Sequence, residues 1–260
     1  MQRTDPTRGV LRLAIIGSGR LGTAIAGALR GSHDFELTGP LGRGADGAGS
    51  DVVLLCVPDR EIGPAAAALA PGTIVGHCSG ATGLEPLAPH ESFSLHPLMT
   101  VTEAGAEAGA DFTGALAAID AGSERALAVA RMIAEALRMQ AVRVRSEDRV
   151  AYHAAASIAS NFLVTLEAAA ERIAATAGID RRALAPLVRA TVENWAALGP
   201  ERALTGPVAR GDELTVARQR EAVAQRAPEL TPLYDALVEA TRTLAANATE
   251  TATATEFEPA

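Results

Sequence analysis

The chain has 260 residues, enough to bury a full core as one large domain or two modest ones. Its formal charge is −8 and it has no basic cluster to neutralise phosphates, which argues against a nucleic-acid partner. Hydrophobic residues make up 48% and aromatics 3%, so the core must be built from Ala, Leu, Val and Ile, and no apolar run reaches membrane-spanning length.

The opening MQRTDPTRG is too short and polar for a signal peptide. Apolar run LRLAII at 11–16 follows, then a glycine-rich turn and a helical stretch, Gly22–Arg30. Further runs are FEL at 35–37, DVVLLCV at 51–57, TIVGHC at 73–78, SFSLH at 92–96 and ALAAID at 115–120. Helical stretches Ile62–Leu69 and Glu124–Met139 intervene, and AVRVR at 141–145 closes the series. Several runs are apolar on both faces, as buried parallel strands are. The alternation predicts an α/β class with a doubly wound open sheet. Cys56 and Cys78 lie inside two of these runs, without metal-site spacing, and read as reduced core residues of a cytoplasmic protein.

After Arg145 the strands stop. Ser146, Glu147 and Asp148 suit a helix start, and the pattern runs unbroken to Ala177, with Gly178 as its stop. Helices are expected at about Arg181–Ala197, Glu213–Gln225 and Thr231–Ala246. The division is therefore a sheet domain over 1–145 and an all-helical domain over 146–247. The low-packing end, 248–260, reads as a disordered tail.

The turn IIGSGRLG, from Gly17 through Ser18, Gly19, Arg20 and Leu21 to Gly22, stands between the first strand and its helix. The first glycine permits the tight turn, the second close approach of a pyrophosphate, and the third close helix–strand packing; the helix N-terminus faces the phosphate charge. This setting predicts a bound dinucleotide. Glu36 lies near the spacing of a ribose-binding acid but sits mid-strand, whereas Arg43, in TGPLGRG, suits a 2′-phosphate. NADP is therefore preferred, with NAD possible. Val57 and Pro58 could wall the nicotinamide ring, and Ser79 in HCSGATG ends the next strand near the same crevice.

YHAAASIASNF at 152–162 spaces His153, Ser157 and Asn161 four residues apart, which places all three on one helix face. Hydride reduction of a carbonyl leaves negative charge on oxygen and needs a proton donor and fixed hydrogen-bond donors. Histidine titrates in the right range and the amide can orient a carboxylate. An internal polar seam would also explain the stripe. His96 in LHPLMT could bind substrate or cap its strand. ALTGPVARGD carries Thr205, Arg210 and Asp212, either to hold a substrate carboxylate or to stiffen the loop through an Arg–Asp pair.

These segments carry a family resemblance. The chain looks like reductases in which a Rossmann domain precedes a helical domain of the 6-phosphogluconate dehydrogenase C-terminal type, a superfamily that includes ketopantoate and pyrroline-5-carboxylate reductases. Within it, GPLGRG (39–44), LHPLMT (95–100), YHAAASIASNF and ALTGPVARGD (203–212) resemble a bacterial Rossmann-like group whose C-terminal domain is of unknown function. Dehydrogenases of the superfamily use a lysine on the first long helix with an asparagine one turn later. The resemblance puts His153 in the lysine's region and Ser157 or Asn161 in the amide's. All 23 cationic residues are arginines, so no lysine is on offer and the substrate does not transfer. What the resemblance implies is an NADP-dependent reductase of a small 2-oxo acid, ketopantoate first among them, acting as a homodimer through the helical domain. Imine reduction, hydride exchange with a deazaflavin, and a non-catalytic dinucleotide sensor stay open.

Overall fold

The computed structural model describes residues 9–255. Strand β1 (Leu11–Ile16) alternates its side chains between two cores: Leu13 and Ile15 enter one, Ala14 and Ile16 the other. Strand β3 (Val52–Leu55) does the same with Val52 and Leu54 against Val53 and Leu55. All four residues of β3, and all four of β4 (Ile74–His77), are buried. A strand covered on both faces has no polar alternation to show, which is why these segments read as continuous apolar runs.

The remaining strands are β2 (Phe35–Leu41), β5 (Glu91–Pro97), β6 (Leu116–Ala121) and β7 (Gln140–Arg143). They form one seven-stranded sheet in the order β2-β1-β3-β4-β5-β6-β7. Helix α1 (Arg20–Leu29) covers one face with Ile25 and Leu29, helped by α4 (Glu124–Ala136) with Val129 and Ile133; α2 (Asp59–Ala67) covers the other with Ile62 and Ala66. Each such aliphatic side chain contributes roughly 1.5–3 kcal/mol by leaving water. The first five strands are mutually parallel. β6 then runs antiparallel to β5, with His96 opposite Ala118 and Pro97 opposite Ala117, and β7 follows β6 in parallel. The sheet is thus mostly parallel, and doubly wound as expected; ALAAID is apolar on both faces in either direction, so its pattern carries no orientation.

A short helix α3 (Glu103–Ala108), capped by Thr102, was not expected from the sequence. The predicted unbroken helix from Ser146 is also divided: a 3₁₀ turn over 146–148, then α5 (Arg149–Ser157), a π-helical turn over Ile158–Phe162, and α6 (Leu163–Ala175). The chain separates into two compact units between Asn161 and Phe162, beyond the expected division at 145, because α5 packs with the sheet.

The second unit continues with α7 (Arg181–Leu198), α8 (Pro200–Ala203), α9 (Glu213–Arg226) and α10 (Thr231–Thr255). Val216 and Val223 of α9 are buried in it, and Arg220 holds Asp235 of α10 through two hydrogen bonds. Disorder was expected from 248, but α10 continues helical to Thr255; residues 256–260 lie outside the described residues. Among the described residues no helix is long and apolar enough to cross a membrane.

Candidate functional site

Where the chain order reverses between β1 and β3, the carboxyl ends of the two strands splay into a groove of about 380 Å³. Ligands bind at such a switch point in doubly wound sheets. Gly17, Ser18, Gly19, Arg43, Val57 and Pro58 all line it, as the sequence predicts for a cofactor cleft. Arg20, Leu21 and Gly22 form the first turn of α1 beside it.

The three glycines are distinguished by what surrounds them. Gly17 has φ +121°, and a Cβ there would lie 2.2 Å from the Cys56 carbonyl oxygen. A Cβ on Gly22 would lie 1.9 Å from the Gly17 oxygen, so this glycine lets α1 close on β1. A Cβ on Gly19 would meet nothing within 4 Å. Its lack of a side chain leaves space at the mouth of α1, whose N-cap is Gly19 with no side-chain cap bond. Uncapped amides and the helix dipole there suit a phosphate. The residues present thus fit a dinucleotide.

Glu36 and Arg43 can now be separated. Strand β2 continues to Leu41, so Glu36 lies five residues before its carboxyl end, in register with Arg12 and remote from the groove lining. At the strand end itself comes Arg43, with its side chain 84% exposed and Nη1 donating to Glu61 Oε2 at 3.1 Å. An arginine on so exposed an ion pair exchanges partners at little cost.

Beyond Pro58 the wall of the groove passes into a rigid loop. Asp59 opens α2, and its Oδ2 accepts from Ser79 Oγ at 2.8 Å and from Thr82 Oγ1 at 2.9 Å. Ser79 Oγ also accepts from the amides of Ala81 and Thr82. Ser79 was expected to bind cofactor; its hydroxyl is instead consumed in holding the 79–83 loop. The fully buried His77 ties both ends of that loop: Nδ1 accepts from the Ser79 amide at 3.1 Å, so Nε2 donates to the Gly83 carbonyl at 2.8 Å. Burial pushes the His77 pKa down, in keeping with a neutral ring.

Against this loop the structure brings His96 and His153 together. Their ring centroids are 5.8 Å apart, edge to face, and a Cβ built on Gly80 would meet His153 Cδ2 at 2.5 Å and His96 Nε2 at 3.0 Å. Tyr152 Oη lies 2.8 Å from His96 Nδ1. Burial, then the neighbouring His153 and Arg149, lower the His96 pKa to about 4.

Beneath them lies Arg149, 1% exposed. Its Nη1 donates to Ser94 Oγ at 2.8 Å and its Nη2 to the Ser79 carbonyl at 2.6 Å, while Nε has no partner. No carboxylate lies within ion-pairing distance among the described residues; Asp120 and Asp59 act on it only from farther away. Burial lowers its pKa, but a guanidinium stays charged. Sequence reasoning missed Arg149, Tyr152, Gly80 and Asp59. Arg149 beside Glu147 and Asp148 reads as an exposed helix start, and its contacts lie 55 and 70 residues away.

The stripe itself is only partly kept. Ser157 ends α5, one turn above His153, but Asn161 falls in the π turn. Closing a turn with i→i+5 bonds uses one more residue, so a four-residue step no longer returns to the same line. Thr205, Arg210 and Asp212 lie in the second unit, before α9. Asp212 was expected to bind substrate; its Oδ1 accepts from the Thr215 amide at 3.1 Å and its Oδ2 from Thr215 Oγ1 at 2.7 Å, so it is the cap of α9. Thr205 and Arg210 are exposed.

Residues 115–241 match the model of a domain of unknown function, DUF2520. No curated protein sequence matches the chain. Among solved structures, one from Bacteroides fragilis, provisionally named an NADP oxidoreductase, is 20% identical with a TM-score of 0.73, over 90% of this chain and 98% of that one. A Thermotoga maritima protein is 27% identical with a TM-score of 0.71, over the same shares. A reductive aminase from Aspergillus terreus, in complex with NADPH and ethyl-5-oxohexanoate, is 14% identical with a TM-score of 0.65, again over 90% and 98%. The chain has the fold of these proteins, a Rossmann sheet domain followed by a helical domain.

Proposed function

We propose that the chain is an NADP-dependent oxidoreductase that reduces a small 2-oxo acid, with ketopantoate the first substrate to test. The observation that carries this reading is the groove at the switch point, with an empty space over Gly19, an uncapped helix start and an arginine where a ribose-binding acid would otherwise stand. The names of the B. fragilis and A. terreus proteins support the NADP-linked reductase part of this reading.

The bound nicotinamide would supply a hydride to the substrate carbon, and the substrate oxygen would take up one proton. The amides at the start of α1 hold the pyrophosphate. Arg43 leaves Glu61 for the 2′-phosphate. Val57 and Pro58 flank the ring, and His153 supplies the proton.

The second unit forms the homodimer. Helices α6 and α7 bury no residue within the described chain, and Val164, Leu187 and Trp195 stand 69%, 66% and 56% exposed. An apolar surface of that extent calls for a partner. Light scattering at micromolar concentration gives twice the chain mass; a monomer overturns the assignment.

The test is NADPH binding followed by its oxidation with a panel of 2-oxo acids and, as a second arm, cyclic imines. NADPH binds at least tenfold more tightly than NADH, and Arg43→Ala removes that preference. Equal affinity for both, or binding of neither, overturns the reading. His153→Ala abolishes turnover at unchanged NADPH affinity; a dinucleotide sensor would show no turnover to lose.

A further inference from the structure

Resting on the reductase reading, we propose that His96 is a second catalytic residue: Tyr152 locks its ring so that Nε2–H, held beside His153 against Gly80, is a fixed hydrogen-bond donor to the substrate oxygen.

Three observations carry it. First, Tyr152 Oη and His96 Nδ1 are 2.8 Å apart, and Tyr152 makes no other hydrogen bond among the described residues. A phenol is a good donor and a poor acceptor, while a bare imidazole nitrogen is a strong acceptor, so the hydroxyl donates to Nδ1. Neutral imidazole carries one hydrogen, which must then reside on Nε2. Second, Nε2 makes no hydrogen bond among the described residues and is not sealed from the surface, so its N–H is available to an incoming atom. Third, Gly80 admits no methyl between its backbone and the two rings, so both imidazoles are seated against a loop that His77, Ser79 and Asp59 hold rigid.

The charged and titratable groups facing His96 are His153, Arg149 and Tyr152 from α5, and Asp59 from the start of α2. Of these, His153 and Arg149 oppose its protonation, and burial does so more strongly. The ring therefore stays neutral at physiological pH and works as a dipole rather than as an acid. As the hydride arrives at carbon, the carbonyl electron pair moves to oxygen. The His96 N–H meets that oxygen and keeps its own hydrogen, while the transferred proton comes from His153. Arg149, charged and without a carboxylate at contact distance, adds positive potential in the same place before any substrate enters. Fixed donors and charges of this kind need no reorganisation when the oxygen becomes negative.

The experiment has two parts on the full chain. Nitrogen-15 NMR of the imidazoles, without substrate, shows His96 as the Nε2–H tautomer from neutral pH down to about 5, and Tyr152→Phe turns it into a tautomer mixture. An Nδ1–H tautomer, or titration near the ordinary histidine value, overturns the proposal whatever the activity. In turnover with NADPH, Gly80→Ala and His96→Gln each lower kcat on the order of 100-fold, with NADPH affinity within about twofold of the parent. Parental kcat in both variants overturns it. Failure of the parent chain to bind NADPH is a different result: it removes the reductase reading, and this donor's substrate with it.

Discussion

Replacing Gly19 by alanine separates the cofactor seat from the fold. The built Cβ meets no atom within 4 Å and φ is −75°, so the methyl neither clashes nor strains the backbone. What changes is the N-cap, where alanine is poorer than glycine by about 1 kcal/mol at most. For a unit of this size that lowers Tm by roughly 2–4 °C. The same methyl occupies the space in which a pyrophosphate would approach the backbone, so NADPH affinity falls at least tenfold, about 1.4 kcal/mol. Gly22→Ala is the contrasting variant. Its Cβ would stand 1.9 Å from the Gly17 oxygen and 3.1 Å from Cys56 Cβ, which forces α1 away from the strand. Overpacking of that kind costs about 1–3 kcal/mol and weakens binding only through the damaged fold. The assay is NADPH fluorescence titration beside thermal unfolding, on both variants. If Gly19→Ala keeps parental affinity, or loses as much stability as Gly22→Ala, the assignment of that space to a phosphate is wrong.

Other outcomes follow from the buried polar groups. His96 binds its proton at about 4 in the folded chain and near 6.5 when unfolded, so between these values the unfolded chain holds more protons. Stability is therefore complete above the upper value and declines as pH falls to the lower one, by at most about 3 kcal/mol. His77, also pushed down by burial, acts in the same direction. Urea unfolding at several pH values checks this, and the slope should flatten in His96→Phe. Arg149→Ala leaves the Ser94 hydroxyl and the Ser79 carbonyl without their donor and opens a cavity, costing about 3 kcal/mol; an unchanged unfolding midpoint would contradict its structural part. Cys78 is buried and its pKa is raised by the Cys56 contact and by desolvation, so thiol reagents reach it only on unfolding.

The sheet was legible because its central strands are buried on both faces, and VVLL or the IVGH segment can hardly be anything but interior. The glycine turn was legible because strand, turn and helix each left its own mark within a dozen residues. The direction of β6 was not, since nothing in an apolar run distinguishes up from down. Nor was the π turn, for SIASNF has the composition of ordinary helix. The histidine pair was half visible. His153 and His96 were both singled out, but their meeting, and the positions of Tyr152 and Arg149 around them, depend on contacts across more than fifty residues. Asp212 shows the opposite error, where a helix cap and a ligand contact look alike in a loop of small residues.

The reversal at β6 has a consequence for how α5 is delivered. Because β6 and β7 are both inverted, β7 runs back from the level of Pro97 to that of Leu95. The chain leaves it beside Asp120, to which Ser146 bonds, in the row of pairs that joins Ser94 to His77, Leu55 and Ile16 at the ends of β4, β3 and β1; α5 starts from there. Its first residue, Arg149, anchors to Ser94 in that row, and its next turn brings Tyr152 and His153 to His96. A change of strand direction far from the groove thus decides which helix residues reach the mouth of the sheet.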